Sequence, residues 1–159
     1  MFDINCSTSE LISKGDVVTA DGNTLEEVFS SIANSAKLLS DITSESLLQE
    51  LLDREHVLST AVGNGIAIPH PRRSIVKNTD ESCIIVAYLK NPIEMQALDF
   101  RKVSVMFILL SASSQFHIKC LSSLASVFRN ERFKKGIQDK PGFKDLIGLV
   151  KACEENTGI

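Results

Sequence analysis

No segment of this sequence is long and apolar enough to suggest a membrane span. Its longest apolar run, Val103 to Leu110 with Ser104 inside it, falls far short of the roughly 20 residues a spanning helix needs. The start, Met1-Phe2-Asp3-Ile4-Asn5, has neither the basic nor the apolar region of a secretion signal. No C-x-x-C pair occurs. The four cysteines, at 6, 83, 120 and 153, read as reduced thiols of a cytoplasmic protein. A basic excess is missing too, and a net charge of −3 with a pI near 5.6 argues against nucleic-acid binding.

Common site motifs are equally scarce. There is no Walker A pattern, and Gly63-Asn64-Gly65 lacks the third glycine of a dinucleotide fingerprint. G-x-S-x-G is absent, and no histidine pair has zincin spacing. No internal repeat, low-complexity tract or long linker divides the chain. With 159 residues, 43% of them hydrophobic, one ordinary core and one domain are expected.

What is present reads as strands interleaved with helices. Residues 1–14 are polar, with Ser7-Thr8-Ser9, and are expected to be a loose leader before a domain spanning 15–156. Asp16 to Ala20 reads as a short strand closed by a turn at Asp21-Gly22-Asn23. Thr24 stands three residues before Glu27, the capping-box spacing, and opens an apolar stripe running from Leu25 to Leu39. A second helix starts at Ser44. Cys83 to Leu89 is β-rich and is expected to end in a turn at Lys90-Asn91-Pro92. Val103 to Leu110 suits a strand buried on both faces. Ser111 to Ser114 offer a helix N-cap, and the basic group Arg129, Arg132, Lys134 and Lys135 reads as a solvated helix end. Pro141-Gly142 precedes a final amphipathic helix. The expectation is a single α/β domain with a central mixed sheet flanked by helices.

The candidate chemistry lies with the histidines. Gly63 to His70 is a glycine-broken turn, a brief apolar strand, a proline and then His70, which places this imidazole on a stiff mount. His117 falls in the first turn of the helix after the buried strand, on the face of Leu121, Leu124 and Phe128. That position suits contact with a phosphate or carboxylate, but taken alone the residue reads first as a half-buried structural histidine. His56, at a helix end, reads as a surface residue. Nothing local supports a metal site built from His56, His70 and His117, and no cofactor is indicated.

Arg54-Glu55, Ser59-Thr60 and Gly63-Asn64-Gly65-Ile66-Ala67-Ile68-Pro69-His70-Pro71 together resemble the active-site signature of the type-2 enzyme IIA domains of the bacterial phosphoenolpyruvate-dependent phosphotransferase system. That group includes mannitol, fructose and nitrogen-regulatory components. The resemblance continues through Asn91-Pro92-Ile93, Ala97-Leu98-Asp99 and His117-Ile118-x-x-Leu121-x-x-Leu124, covering nearly the whole chain. It implies the type-2 IIA fold and transient phosphorylation of His70 as a tele-phosphohistidine. It further implies that His117 stabilises the phosphoryl group and that Arg54 balances its charge. From the residues alone, Arg54 reads as a surface ion pair with Asp53 or Glu55. The implied donor is a histidine-containing phosphocarrier protein. The implied recipients are regulatory targets or a IIB transporter component. Of these roles the regulatory one is expected, with a sugar-specific IIA as the alternative and a binding module with a vestigial site as a third reading. Ser111-Ala112 departs from the family, which often has a proline there, and Arg72-Arg73 are expected to make the site's rim basic.

Overall fold

Val103–Leu110 forms a strand, β5, whose apolar residues are covered on both faces. It pairs antiparallel with β4 (Cys83–Ile93), from Cys83 opposite Leu110 to Ile93 opposite Val103. On the far side of β4 lies β1 (Asp16–Ala20), parallel to it. On the far side of β5 lies β3 (Ile66–Ala67), also parallel, and β2 (Ala61–Gly63) pairs antiparallel outside it. The result is one mixed sheet of order β1-β4-β5-β3-β2. These relations come from a computed structural model that describes residues 6–39 and 41–156.

Side-chain alternation along β4 splits the core into two layers. Ile85, Ala87 and Leu89 face α2 (Leu25–Ser35) and α3 (Ser44–Glu55), meeting Phe29, Ile32, Leu47 and Leu51. Ile84, Val86 and Tyr88 face the opposite way. There they meet α1 (Thr8–Lys14), α4 (Ser114–Arg129), α5 (Glu131–Gly136) and α6 (Phe143–Asn156) through Leu11, Ile12, Leu124, Phe133 and Leu146. Helices on both faces explain why β5 can be apolar almost throughout. Tyr88, the one tyrosine, donates its hydroxyl proton to the Pro141 carbonyl at 2.7 Å, so its polar tip is satisfied inside that layer.

Helix starts follow the side-chain signals. The Thr24 hydroxyl accepts from the Glu27 amide at 3.2 Å, while the Glu27 carboxylate accepts from the Asn23 amide at 2.8 Å. Thr43 caps α3 and Ser113 caps α4. The apolar stripe that reaches Leu39 in the sequence outlasts its helix, because α2 stops at Ser35.

Two expectations need correction. The first is the loose leader over 1–14; residues 1–5 lie outside the described residues, but Thr8–Lys14 is a helix with Thr8, Ser9, Leu11 and Ile12 buried. Its polar residues are used in packing. Ser9 donates its amide and hydroxyl to Glu154 of α6 at 3.0 and 2.7 Å, and Thr8 and Ser123 of α4 share a hydroxyl hydrogen bond of 2.7 Å. Second, β4 does not turn at Lys90-Asn91-Pro92 but runs on to Ile93, with those three residues exposed. Proline is tolerated where its missing N–H breaks no ladder bond, and the β4–β5 register shifts between Tyr88 and Ile93. The basic group is a solvated helix end as expected, shared between two helices, with Arg129 in the last turn of α4 and Lys134-Lys135 in that of α5. Asn130 accepts from the Arg132 and Phe133 amides at 2.9 and 3.4 Å and starts α5, which buries Phe133.

Candidate functional site

Two parallel neighbours, β3 and β5, end side by side, and each delivers one histidine. The β2–β3 hairpin turns at Asn64-Gly65, with φ of 55° and 78°, the left-handed pair that a tight two-residue hairpin requires. Asp99 pins the tip by accepting from the Asn64 amide at 2.7 Å. That bond and one from the Arg101 amide hold the fully exposed Asp99 carboxyl below its ordinary pKa. After β3 the chain stays tied to its neighbours, with Ile68 N–H to Thr60 O at 3.0 Å and Leu109 N–H to Pro69 O at 2.9 Å. His70 thus leaves a segment hydrogen-bonded on both sides.

Its ring is held as firmly as its backbone. Nδ1 lies 2.9 Å from the Ile68 carbonyl oxygen, which can only accept, so Nδ1 carries the proton. Nε2 lies 3.1 Å from Arg54 Nε, whose N–H can only donate, so Nε2 carries the lone pair. Both contacts select the same neutral tautomer. Burial lowers the His70 pKa, with the nearby Arg54 charge adding to this and the Ile68 hydrogen bond opposing it.

Arg54 sits in the last turn of α3, and its Nη1 also donates to the Leu58 carbonyl at 2.6 Å. The expected ion pair with Asp53 or Glu55 is not its geometry. Asp53 accepts from Gln49 at 2.8 Å, and Glu55 accepts from the amide and hydroxyl of Thr60 at 2.6 and 2.5 Å. Burial of Glu55 raises its pKa, while the two Thr60 bonds oppose the rise. Glu55 and Thr60 therefore lock the end of α3 to the chain leading into β2. The Ser59 hydroxyl also donates to the Met95 carbonyl.

His117 enters from α4, and its ring centroid lies 4.6 Å from that of His70, with the planes tilted by 58°. Its Nδ1 is 2.9 Å from the Ser111 hydroxyl. Burial, then the adjacent His70 and Arg54, pushes its pKa down to about 4, so the ring is neutral at pH 7. The half-buried histidine and the anion contact were both open in the sequence; the structure makes this residue half-buried and part of the same cleft. That open cleft has a volume of about 400 Å³ and is lined by Arg54, His70, Arg72, Ser111, Ser113 and His117 among others. His56 is exposed at the C-cap of α3 and does not line it.

A model of the phosphoenolpyruvate-dependent sugar phosphotransferase system EIIA 2 family matches residues 10–153. The chain belongs to this family. A nitrogen regulatory protein of Escherichia coli is 35% identical over 130 residues, covering 80% of this chain and 77% of that protein. One from Pseudomonas aeruginosa is 29% identical over 137 residues, covering 84% and 87%. The crystal structure of the nitrogen regulatory protein IIA-Ntr from Neisseria meningitidis superposes with a TM-score of 0.70 at 22% identity, covering 89% of this chain and 97% of that one. The IIA family model begins at residue 10, inside α1, in keeping with that helix being part of the domain.

Sequence reasoning missed the residues that hold this IIA cleft open and shaped. Glu50 is nearly buried on α3. It accepts from the Arg73 amide at 2.8 Å and the Arg73 side chain at 3.2 Å, and its carbonyl accepts from the Arg72 amide at 3.2 Å. Arg73 is therefore paired, and of the two expected rim arginines it is Arg72 that lines the cleft. Ser74 donates to the Ser111 carbonyl at 2.7 Å, tying the loop after His70 to the loop before His117. Glu50 at the edge of an apolar helix face was the available signal. Ser74 offered none.

Proposed function

We propose that this IIA protein is a regulatory phosphocarrier. It accepts a phosphoryl group on His70 Nε2 from a phosphorylated histidine phosphocarrier protein and changes its interactions accordingly. The observation that carries this reading is the opposed pair of contacts on the His70 ring, Ile68 O on Nδ1 and Arg54 Nε on Nε2. They prepare one nitrogen as the nucleophile.

The Nε2 lone pair attacks phosphorus, and the donor's N–P bond breaks as the new one forms. His70 loses no proton. Positive charge grows on its ring, and the Ile68 carbonyl already accepts from Nδ1–H to stabilise it. Arg54 Nε–H, displaced from Nε2, turns to a phosphoryl oxygen only one bond further out. His117 supplies a second donor if its own tautomer is set. A Ser111 hydroxyl donating to Nδ1 leaves the proton on Nε2, giving a neutral N–H donor for a phosphoryl oxygen. Ser111, the departure from the family pattern, thus acts as a positioning residue for His117. These side chains also argue against a vestigial site.

His117→Ala should still be labelled, but about 10- to 100-fold more slowly, as expected for loss of one hydrogen bond to a charged group. Ser111→Ala should slow transfer by about five-fold, near the worth of one neutral hydrogen bond. It should also shift the tautomer balance of His117 seen by nitrogen-15 NMR, and Ser111→Thr should restore both. Wild-type kinetics in His117→Ala would return that residue to a packing role. An unchanged His117 tautomer in Ser111→Ala would remove the positioning role.

The regulatory assignment follows the relatives named nitrogen regulatory proteins, which the chain matches over about four-fifths of its length. The family description itself names sugar transport, so the alternative is a sugar-specific IIA that donates to a IIB component. Adding close to two negative charges beside Arg54 and Arg72 changes the surface a partner meets. Pull-downs from native lysate should therefore recover at least one partner in different amounts with phosphorylated wild type and with His70→Ala. Cells lacking the protein should keep their uptake of hexoses and hexitols. A lost uptake restored by wild type but not by His70→Ala would establish the sugar-specific role instead.

A further inference from the structure

Cys6 and Cys120 are far apart in sequence, yet their Sγ atoms lie 2.9 Å apart. Cys120 is fully buried on α4, in the core layer that α1 covers, and Cys6 stands just before the Ser7 cap of α1. A disulfide S–S bond is about 2.05 Å long, so closure asks the sulfurs to move only about 0.9 Å. The pair also has an entrance. A shallow cavity of about 180 Å³, lined by Cys6, Glu10, Lys14, Asp80 and Phe116, brings solvent to Cys6 but not to Cys120.

The two thiols are chemically unequal. The hydrogen bond across the pair holds the Cys6 thiol below its ordinary pKa, against burial and Glu154, with Lys14 and Lys119 helping. The same bond, with burial, pushes Cys120 up. Burial also raises Cys153, and pushes Cys83 up to about 11. Cys6 is the thiol of the pair that solvent reaches, next to a buried one. That division of labour is the arrangement of a peroxide-sensitive cysteine and its resolving partner.

We propose that Cys6 and Cys120 form a reversible, peroxide-driven disulfide that staples the start of α1 to α4. The Cys6 thiolate attacks one oxygen of hydrogen peroxide, giving a sulfenic acid and releasing hydroxide. The Cys120 sulfur then displaces the sulfenic oxygen, so that S–S forms, S–O breaks and water leaves with the Cys120 proton. Two thiols are oxidised and one peroxide is reduced to two waters. A small-molecule dithiol reverses the step by exchange. The staple closes on the helix that carries His117, one turn before Cys120, but its formation does not depend on phosphoryl transfer.

The test treats the reduced full-length protein with hydrogen peroxide in slight excess and maps peptides without reduction. The expected product is one crosslink joining the Cys6 and Cys120 peptides, about 2 Da lighter than their sum, with dithiothreitol restoring both thiols. Titratable thiols should fall from the four of the sequence to those of Cys83 and Cys153. Cys6→Ser should abolish the crosslink and leave Cys120 reduced at the same dose. Oxidation of Cys6 to sulfinic acid with Cys120 still free would overturn the proposal. So would a crosslink involving Cys83 or Cys153, or four thiols surviving treatment.

Discussion

Replacing His70 with alanine should reduce phosphate incorporation to background, while wild type should take up one acid-labile, base-stable phosphate per chain from phosphoenolpyruvate through a phosphocarrier system. The effect is expected to be complete because no other side chain in the cleft offers a prepared nucleophile. His117 is the nearest candidate, but its Nδ1 is engaged with Ser111, and the tautomer proposed above leaves its Nε2 protonated. The Ser111 hydroxyl does meet His117 Nδ1, but an imidazole whose pKa is pushed down to about 4 is a poor base for it, and Ser113 is committed to capping α4. His70→Ala leaves Arg54 its bond to the Leu58 carbonyl, so the variant should fold normally and its circular dichroism should match wild type. Undiminished labelling of the folded variant would move the acceptor elsewhere.

The second large effect concerns the fold. Gly15→Ala should destabilise the protein by at least about 3 kcal/mol, read as a lowered denaturant midpoint with little change in slope. A methyl group at Gly15 would stand 1.9 Å from the Ile84 carbonyl oxygen and 2.6 Å from its carbon, both backbone atoms of the central strand β4. Backbone cannot rotate aside as a long side chain can, so α1 or β1 must shift away from β4. Gly148→Ala provides the contrast. It lies exposed within α6, nothing approaches within 4 Å of the added methyl, and helix propensity alone should raise stability by about 0.5–1 kcal/mol. Equal, small effects at both glycines would mean that α1 does not pack as described.

Gly15 also marks where the sequence was hardest to read. The strand at 16–20, the starts of α2 and α3, β5 and the final helix each carried a local signal, whether a closing turn, a capping side chain, a nearly continuous apolar run or an amphipathic stripe, and all stand where those signals placed them. Helix α1 has only seven residues, too few for a 3.6-residue period to stand out, and serine and threonine ordinarily signal a loop. Their partners, Ser123 and Glu154, are more than a hundred residues away. Lys90-Asn91-Pro92 carried a strong turn signal that lost to continued pairing on one side of a bulged strand.

The site divides in the same way. His70, His117 and Arg54 were all named from the sequence, but their convergence rests on β3 and β5 being parallel neighbours, which no local pattern reveals. Arg54 was the hardest of the three, because an arginine between Asp53 and Glu55 reads as a surface charge until both acids prove to be engaged elsewhere. Ser111 was noticed as one of a run of capping candidates and as a missing proline. Its hydroxyl, 2.9 Å from His117, turns that departure into a contact.

The proposed preparation of one nitrogen of one imidazole for phosphoryl transfer is tested most directly by NMR on phosphorylated, nitrogen-15-labelled protein. The expected spectrum shows phosphorus coupled to Nε2 of His70, Nδ1 of the same ring still protonated, and His117 unmodified. Coupling to His70 Nδ1, which would require the Ile68 contact to break, or to either nitrogen of His117, would contradict it.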